Sequence, residues 1–208
     1  MSVPRVRLGG GPPTAGPDDL DAAVAAVRAV PPGDAAHEAR RARILAFCGA
    51  RPDALLRSCA AGHLTGSALV VDPATRRIAL LLHAKLGRWL QPGGHADGDG
   101  HLARVAWCEA TEETGIAGLR VATPAIDLDV HLISAPGGPD PDHLHLDVRY
   151  LVVAPPGAVL APNHESTDHR WARPDELAGL GCDPGLRRLA RVGLAALDLV
   201  EVGPDPGR

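Results

Sequence analysis

Residues 92–116 read Pro92-Gly93-Gly94-His95-Ala96-Asp97-Gly98-Asp99-Gly100-His101-Leu102-Ala103-Arg104-Val105-Ala106-Trp107-Cys108-Glu109-Ala110-Thr111-Glu112-Glu113-Thr114-Gly115-Ile116. A loop rich in Gly and Asp gives way at His101 to a run free of Gly and Pro, and Gly115 stands where a left-handed C-terminal cap is usual. The pattern predicts a helix over about His101–Thr114. On that helix Glu113 lies four residues from Glu109 and Glu112 lies three, so three carboxylates come within reach of one another. Charges so placed repel unless a cation sits between them. A hard divalent ion such as Mg2+ or Mn2+ takes oxygen ligands and bridges to phosphates, and Gly93-Gly94 lets backbone approach a ligand closely. The E-x-x-E-E pattern alone also suits a solvated acidic helix face; its spacing from Gly93-Gly94 is what sets this stretch apart.

Upstream, Leu64–Asp72 and Arg77–His83 are β-rich runs flanking Pro73-Ala74-Thr75-Arg76, which reads as a hairpin, followed by a loop over Leu86–Gly100. Downstream, strands are expected at about Leu119–Thr123, Ile126–Ser134 and Leu144–Val153, with a Gly/Pro/Asp loop over Ala135–Asp142 between the last two. A short strand at Asp168–Trp171, a helical turn over Arg173–Leu180 and a final helix at Pro184–Leu197 complete this part. Before residue 63 the period is helical: Asp18–Val30, then about Ala35–Cys48, then a short helix over Asp53–Ala60. Residues 1–17, nearly half Gly and Pro, read as a flexible leader. The organisation is thus a leader (1–17), a helical extension (18–62) and an α/β domain (63–208).

In the two long strands, Asp127, Asp129 and His131 alternate with Leu128, Val130 and Leu132, and His143, His145, Asp147 and Arg149 alternate with Leu144, Leu146, Val148 and Tyr150. A hairpin of the two would set polar ladders side by side, as a solvent-facing surface or as the wall of a polar pocket. Imidazoles there suit hydrogen bonds to phosphate or a further metal ligand. His95, beside the Gly-Gly turn, is placed to face the same site, and Lys85 and Arg88 to neutralise phosphate.

With Gly94 as the first glycine, this segment resembles the Nudix box, G-x5-E-x7-R-E-U-x-E-E-x-G-U with U aliphatic. Glu109, Ala110, Glu112, Glu113, Gly115 and Ile116 fall on motif positions, and Trp89-Leu90-Gln91-Pro92-Gly93-Gly94 looks like the family's approach to the box. The resemblance covers about residues 63–180 and leaves the N-terminal helices outside. It implies an α/β/α sandwich with a mixed sheet, Mg2+ or Mn2+ held by Glu109, Glu112 and Glu113, and a proton-accepting carboxylate, Glu112 or the loop residue Glu165. It also implies a substrate site on the nearby sheet face, for which Arg88, Gly93, Gly94, His95, His131 and His145 are the candidates. Two positions depart from the box: Gly100 replaces its first Glu and Cys108 its Arg. In the family that Arg helps orient the carboxylates and the first Glu supports the metal site. Losing one such charge strands its partner, whereas losing both need not.

Composition narrows the partners. Across 208 residues, 21 Lys+Arg against 25 Asp+Glu leave a net charge of −4, so no basic field exists to hold duplex nucleic acid. Aromatics at 2% build no stacking platform for single strands. Cys48, Cys59, Cys108 and Cys182 contain no C-x-x-C pair and read as reduced thiols. No signal-like or membrane-spanning run is evident, and a cytoplasmic protein is expected. G-x-S-x-G and P-loop motifs are absent.

The expected function is metal-dependent hydrolysis of a diphosphate bond in a nucleoside diphosphate derivative or related small molecule. The alternative is a degenerate domain that binds a nucleotide or metabolite without cleaving it. Restoring Glu at 100 and Arg at 108 would separate the two. The helical extension also offers a surface on which two copies of the chain would pair as a homodimer, tested by deleting residues 1–60.

Overall fold

The computed structural model describes residues 5–9, 19–134, 141–161 and 163–202. In chain order the elements are β1 (Arg7–Leu8), α1 (Leu20–Ala29), α2 (Ala35–Ala50), β2 (Gly62–Asp72), β3 (Arg77–His83), β4 (Arg88–Leu90), β5 (Gly93–His95) and α3 (Leu102–Thr114). Then follow β6 (Arg120–Thr123), β7 (Asp127–Ile133), β8 (His143–Val153), β9 (Ser166–Ala172), a 3-10 turn (Pro174–Glu176), α4 (Pro184–Leu197) and β10 (Glu201–Val202).

Two long strands carry the sheet. β2 and β8 run parallel in register from Gly62↔Leu144 to Val71↔Val153. The order is β10-β1-β6-β8-β2-β3-β4, with β7 also on β8, β5 on β2 and β9 on β3; β1 and β10 also pair in parallel. Because side chains alternate, each strand feeds two cores. Leu64, Ala68 and Val70 of β2 with Leu146, Val148 and Tyr150 of β8 pack under α1, α2 and α3, through Ala23, Val27, Ile44, Leu102, Ala106 and Ala110. Leu69, Val71, Leu151 and Val153 face α4 through Leu186, Leu189 and Ala190. The mixed sheet is therefore sandwiched between helices. Gly66 permits the tight seat of α3: a Cβ there would lie 2.8 Å from the Leu102 carbonyl oxygen.

The helix ends follow their local chemistry. Asp19, Asp34 and Asp183 each accept a hydrogen bond from a backbone N–H three residues on, capping α1, α2 and α4. α3 ends at Gly115, whose φ of 67° is the left-handed cap the sequence predicts.

Three expectations change. The helix over Asp53–Ala60 is instead a chain of tight turns, closed by bonds such as Leu56 N–H to Asp53 carbonyl (2.9 Å) and Cys59 N–H to Leu56 carbonyl (3.0 Å), so it never propagates. The loop Leu86–Gly100 contains β4 and β5, each too short for its period to show. Within the leader, Val6 and Leu8 are buried and β1 lies between β6 and β10, so a two-residue strand anchors it; residues 1–4 and 10–17 lie outside the described residues, as do 135–140 of the expected loop. The helical extension turns its apolar faces inward and shares the core of α3 and the sheet. Deleting residues 1–60 would therefore open that core as well as remove any pairing surface. Among the described residues no helix is long and apolar enough to cross a membrane.

Candidate active site

α3 buries Ala106 and Ala110 on the sheet, which brings Glu109 and Glu113 down onto β5 while Glu112 stays exposed. The Gly93-Gly94 pair is what admits them. The Gly93 N–H donates to Glu113 Oε2 at 3.1 Å. A Cβ on Gly94 would collide with the Glu109 carboxylate. Glu165, also exposed, reaches the same field from the entry to β9, where its carbonyl accepts from the Ala84 N–H (2.9 Å) and its N–H donates to Asn163 Oδ1 (2.9 Å).

The charges accumulate. Burial pushes the Glu113 carboxyl up to about 8; the Gly93 N–H opposes this, and the charges of Glu109, Glu165 and Glu112 add to it. Burial, then Glu112 and Glu165, also raise Glu109, against the pull of Arg57. Among the described residues, the Gly93 N–H donates a hydrogen bond to these carboxylates, and their oxygens suit a hard cation.

This arrangement has a pH signature. A carboxyl whose folded pKa is raised above its ordinary 4.5 stabilises the fold fully below that value, and the contribution is lost as pH rises through about 8. In chelator, the melting temperature should fall between about pH 5 and about pH 8, by the equivalent of on the order of 2–4 kcal/mol at about 1.36 kcal/mol per unit. Glu113→Gln should flatten that slope, read by thermal melts across pH.

The polar ladders lie side by side, with Asp127↔Arg149, Asp129↔Asp147 and His131↔His145 in register. At their Asp and Arg end, Asp127, Asp147 and Arg149 are buried rather than solvent-facing. Arg149 is buried and pairs with Asp147 (2.7 Å), Asp129 (2.8 Å) and Asp127 (3.5 Å). Arg188 of α4 closes on Asp127 (3.0 Å) and Asp129 (3.2 Å), His37 of α2 lies 3.8 Å from Asp127, and Thr65 and Ser67 hydroxyls donate to Asp147. The ladder's other end gathers histidines. Among the described residues, one trio of metal-ligating side chains has its ligand atoms mutually within 4.8 Å, and it is His63, His95 and His145, not the glutamates. His131 is exposed at its edge, 5.5 Å from His145 between ring centroids.

Solved structures share this architecture. A C. elegans Ap4A hydrolase in a binary complex matches at 17% identity over 65% of this chain and 97% of its own, with a TM-score of 0.53. The Nudix hydrolase RenU of M. smegmatis matches at 22% identity over 68% and 89%, with a TM-score of 0.50. The chain has the Nudix fold. No family model matches it, and no curated protein does.

α3 carries the stretch that resembles the Nudix box, and the loop of that resemblance runs from β5 to it. The first-Glu position, Gly100, is closed: a Cβ there would collide with the Asp19 carbonyl at the start of α1. The N-terminal helices, outside the resemblance, thus occupy the space that position would need. Cys108, in the Arg position, is half-buried, and burial, with the charges of Glu112 and Asp99, raises its thiol. Asp99 is committed elsewhere, accepting from the His101 N–H (2.7 Å) and Arg104 Nε (2.7 Å). Asp97 and Arg57 make a two-pronged pair at 2.6 Å whose charges both act on Glu109. Arg57 was not singled out by sequence reading. It sits in the turn segment with no motif around it, and only the fold carries it across to the box. Arg88 lies exposed on β4, on the opposite side of that strand from Trp89, which packs toward α4.

Proposed function

We propose that this protein is a metal-dependent hydrolase of a diphosphate bond in a nucleoside diphosphate derivative or related small molecule. The observation that carries this reading is the seating of Glu109 and Glu113 against Gly93-Gly94, with Glu112 and Glu165 contributing charge at the same place. Glu109, Glu112 and Glu113 would hold Mg2+ or Mn2+, which when bound neutralises the diphosphate and acidifies a water. Glu112 or Glu165, both exposed to solvent, takes the proton as the water oxygen bonds to phosphorus. The bridging P–O bond breaks, and its electrons leave with the departing phosphate. Arg57, held by Asp97, and Arg88 supply positive charge toward the phosphates. The Gly93-Gly94 backbone shapes the floor, with His95, His131 and His145 beyond it.

The likeness to a structure described as an Ap4A hydrolase makes dinucleoside polyphosphates part of the panel to test. Phosphate and nucleotide release from diphosphate compounds with Mg2+ or Mn2+ should be measurable for the parent, and Glu112→Gln should lower kcat by about 10²–10⁴-fold, the loss expected of a general base. No release from any compound would favour the second reading, a binding module, which rests on the closed Gly100 position and on Cys108.

A further inference from the structure

On the face of the sheet opposite α3, imidazoles converge where β5, β2, β8 and β7 lie side by side. The register places them: His63 of β2 pairs with His145 of β8, and His95 of β5 pairs with Thr65 of β2. His143 shares the face two residues before His145. His63 ring centroids lie 4.8 Å from His95, 4.9 Å from His143 and 4.9 Å from His145. His145 Nε2 is 3.3 Å from His95 Nε2 and also 3.3 Å from His143 Nε2.

Hydrogen bonding among the rings does not account for this packing. A neutral imidazole nitrogen carries one proton or one lone pair, so His145 Nε2 satisfies at most one of its two neighbours well. His63 is 4% exposed, and neither of its ring nitrogens has a hydrogen-bond partner, an unusual and costly state for a buried polar group. The Pro141 carbonyl accepts from His143 Nδ1 at 2.8 Å, which leaves the lone pair of a neutral His143 on Nε2, toward the cluster.

A shared cation resolves all three facts. Two nitrogens bound to one tetrahedral zinc at about 2.0–2.1 Å are separated by about 3.3–3.4 Å, the spacing found on both sides of His145. Neutral imidazoles suit zinc and its late first-row neighbours, whereas Mg2+ prefers oxygen. We propose that His63, His95 and His145, with His143 as fourth donor, form a binding site for one zinc-class divalent ion, distinct from the glutamate site. Burial and the neighbouring rings hold His145 down at about 2 and His63 at about 4, so both are uncharged at neutral pH. The ion would tie β5 to β2 and β8, clamping the strand whose Gly93-Gly94 seats Glu109 and Glu113.

The test strips the full chain with chelator and titrates it with Zn2+ or Co2+ in excess Mg2+, following heat and the visible Co2+ spectrum. One equivalent should bind with the strong bands of tetrahedral nitrogen coordination, and Zn2+ should raise the melting temperature. Glu112→Gln should keep this site, so loss of hydrolysis and loss of zinc are read separately. His145→Gln and His63→Gln should each weaken Zn2+ by more than about 100-fold, beyond the 10–100-fold typical of an outer partner. His143→Gln, at the rim, should alter the Co2+ bands even if the buried variants fail to fold. Absence of Zn2+ binding by the parent overturns the proposal. So does a weak octahedral Co2+ spectrum, binding unchanged in the histidine variants, or binding lost in Glu112→Gln.

Discussion

An Arg149→Met variant unfolds with a free energy about 3–5 kcal/mol below that of the parent, the usual cost of removing one partner from a buried ion network. Arg149 is the hub for three carboxylates, and without it Asp127 and Asp129 keep Arg188 while Asp147 is left with the hydroxyls of Thr65 and Ser67. Methionine conserves much of the volume, so the loss is electrostatic rather than a cavity. That origin gives a second readout. Burial works to raise Asp127, but the neighbouring His37, hydrogen bonds from Arg188 and the charge of Arg149 outweigh it and lower its pKa. A lowered carboxylate stabilises the fold above its unfolded pKa, and the benefit fades as pH falls through the folded value. The deficit of the variant should therefore shrink toward acid pH, where the stranded carboxylates take up protons. Urea unfolding across pH checks this, with the midpoint moving and the slope unchanged; a deficit constant with pH would mean that packing, not charge, is at stake.

Gly100→Glu should cost about 3 kcal/mol or more, and it should not improve catalysis. Sequence reasoning treats Glu at this position as a restoration. The structure shows a side chain there driven into the backbone of Asp19, which no rotamer relieves because the collision begins at Cβ. Asp19 caps α1 by accepting from the Ala22 N–H, and α1 buries Ala23 and Val27 in the main core. Displacing it forfeits a cap worth about 1 kcal/mol and part of a valine burial worth about 1.5–3 kcal/mol. Cys108→Arg is the informative single restoration, since it places a cation beside Glu112 and Glu109 without touching α1. Denaturant unfolding separates the two: Gly100→Glu should lose stability, and Cys108→Arg should not lose a comparable amount.

Much of the framework was legible from residue order. Gly115 marked the end of α3, Pro184 the start of α4, and the alternation around Leu128 and Leu146 the faces of β7 and β8, because these signals act within a few residues of themselves. The spacing of Gly94, Glu109, Glu112 and Glu113 likewise depends only on a loop and one helix. What stayed hidden depends on residues far apart in the chain. Arg57 reaches Asp97 across 40 positions. Asp19 fills the space beside Gly100, and His63 meets His145 through a parallel pairing that has no local sequence mark. The sequence by itself determined which helix carries the carboxylates and which residues alternate on the sheet. Only tertiary structure decided that the Asp and Arg ladder closes into a buried network and that the histidines converge. Strand register and helix docking place those charges, and both are set by packing over the whole core rather than by any local pattern.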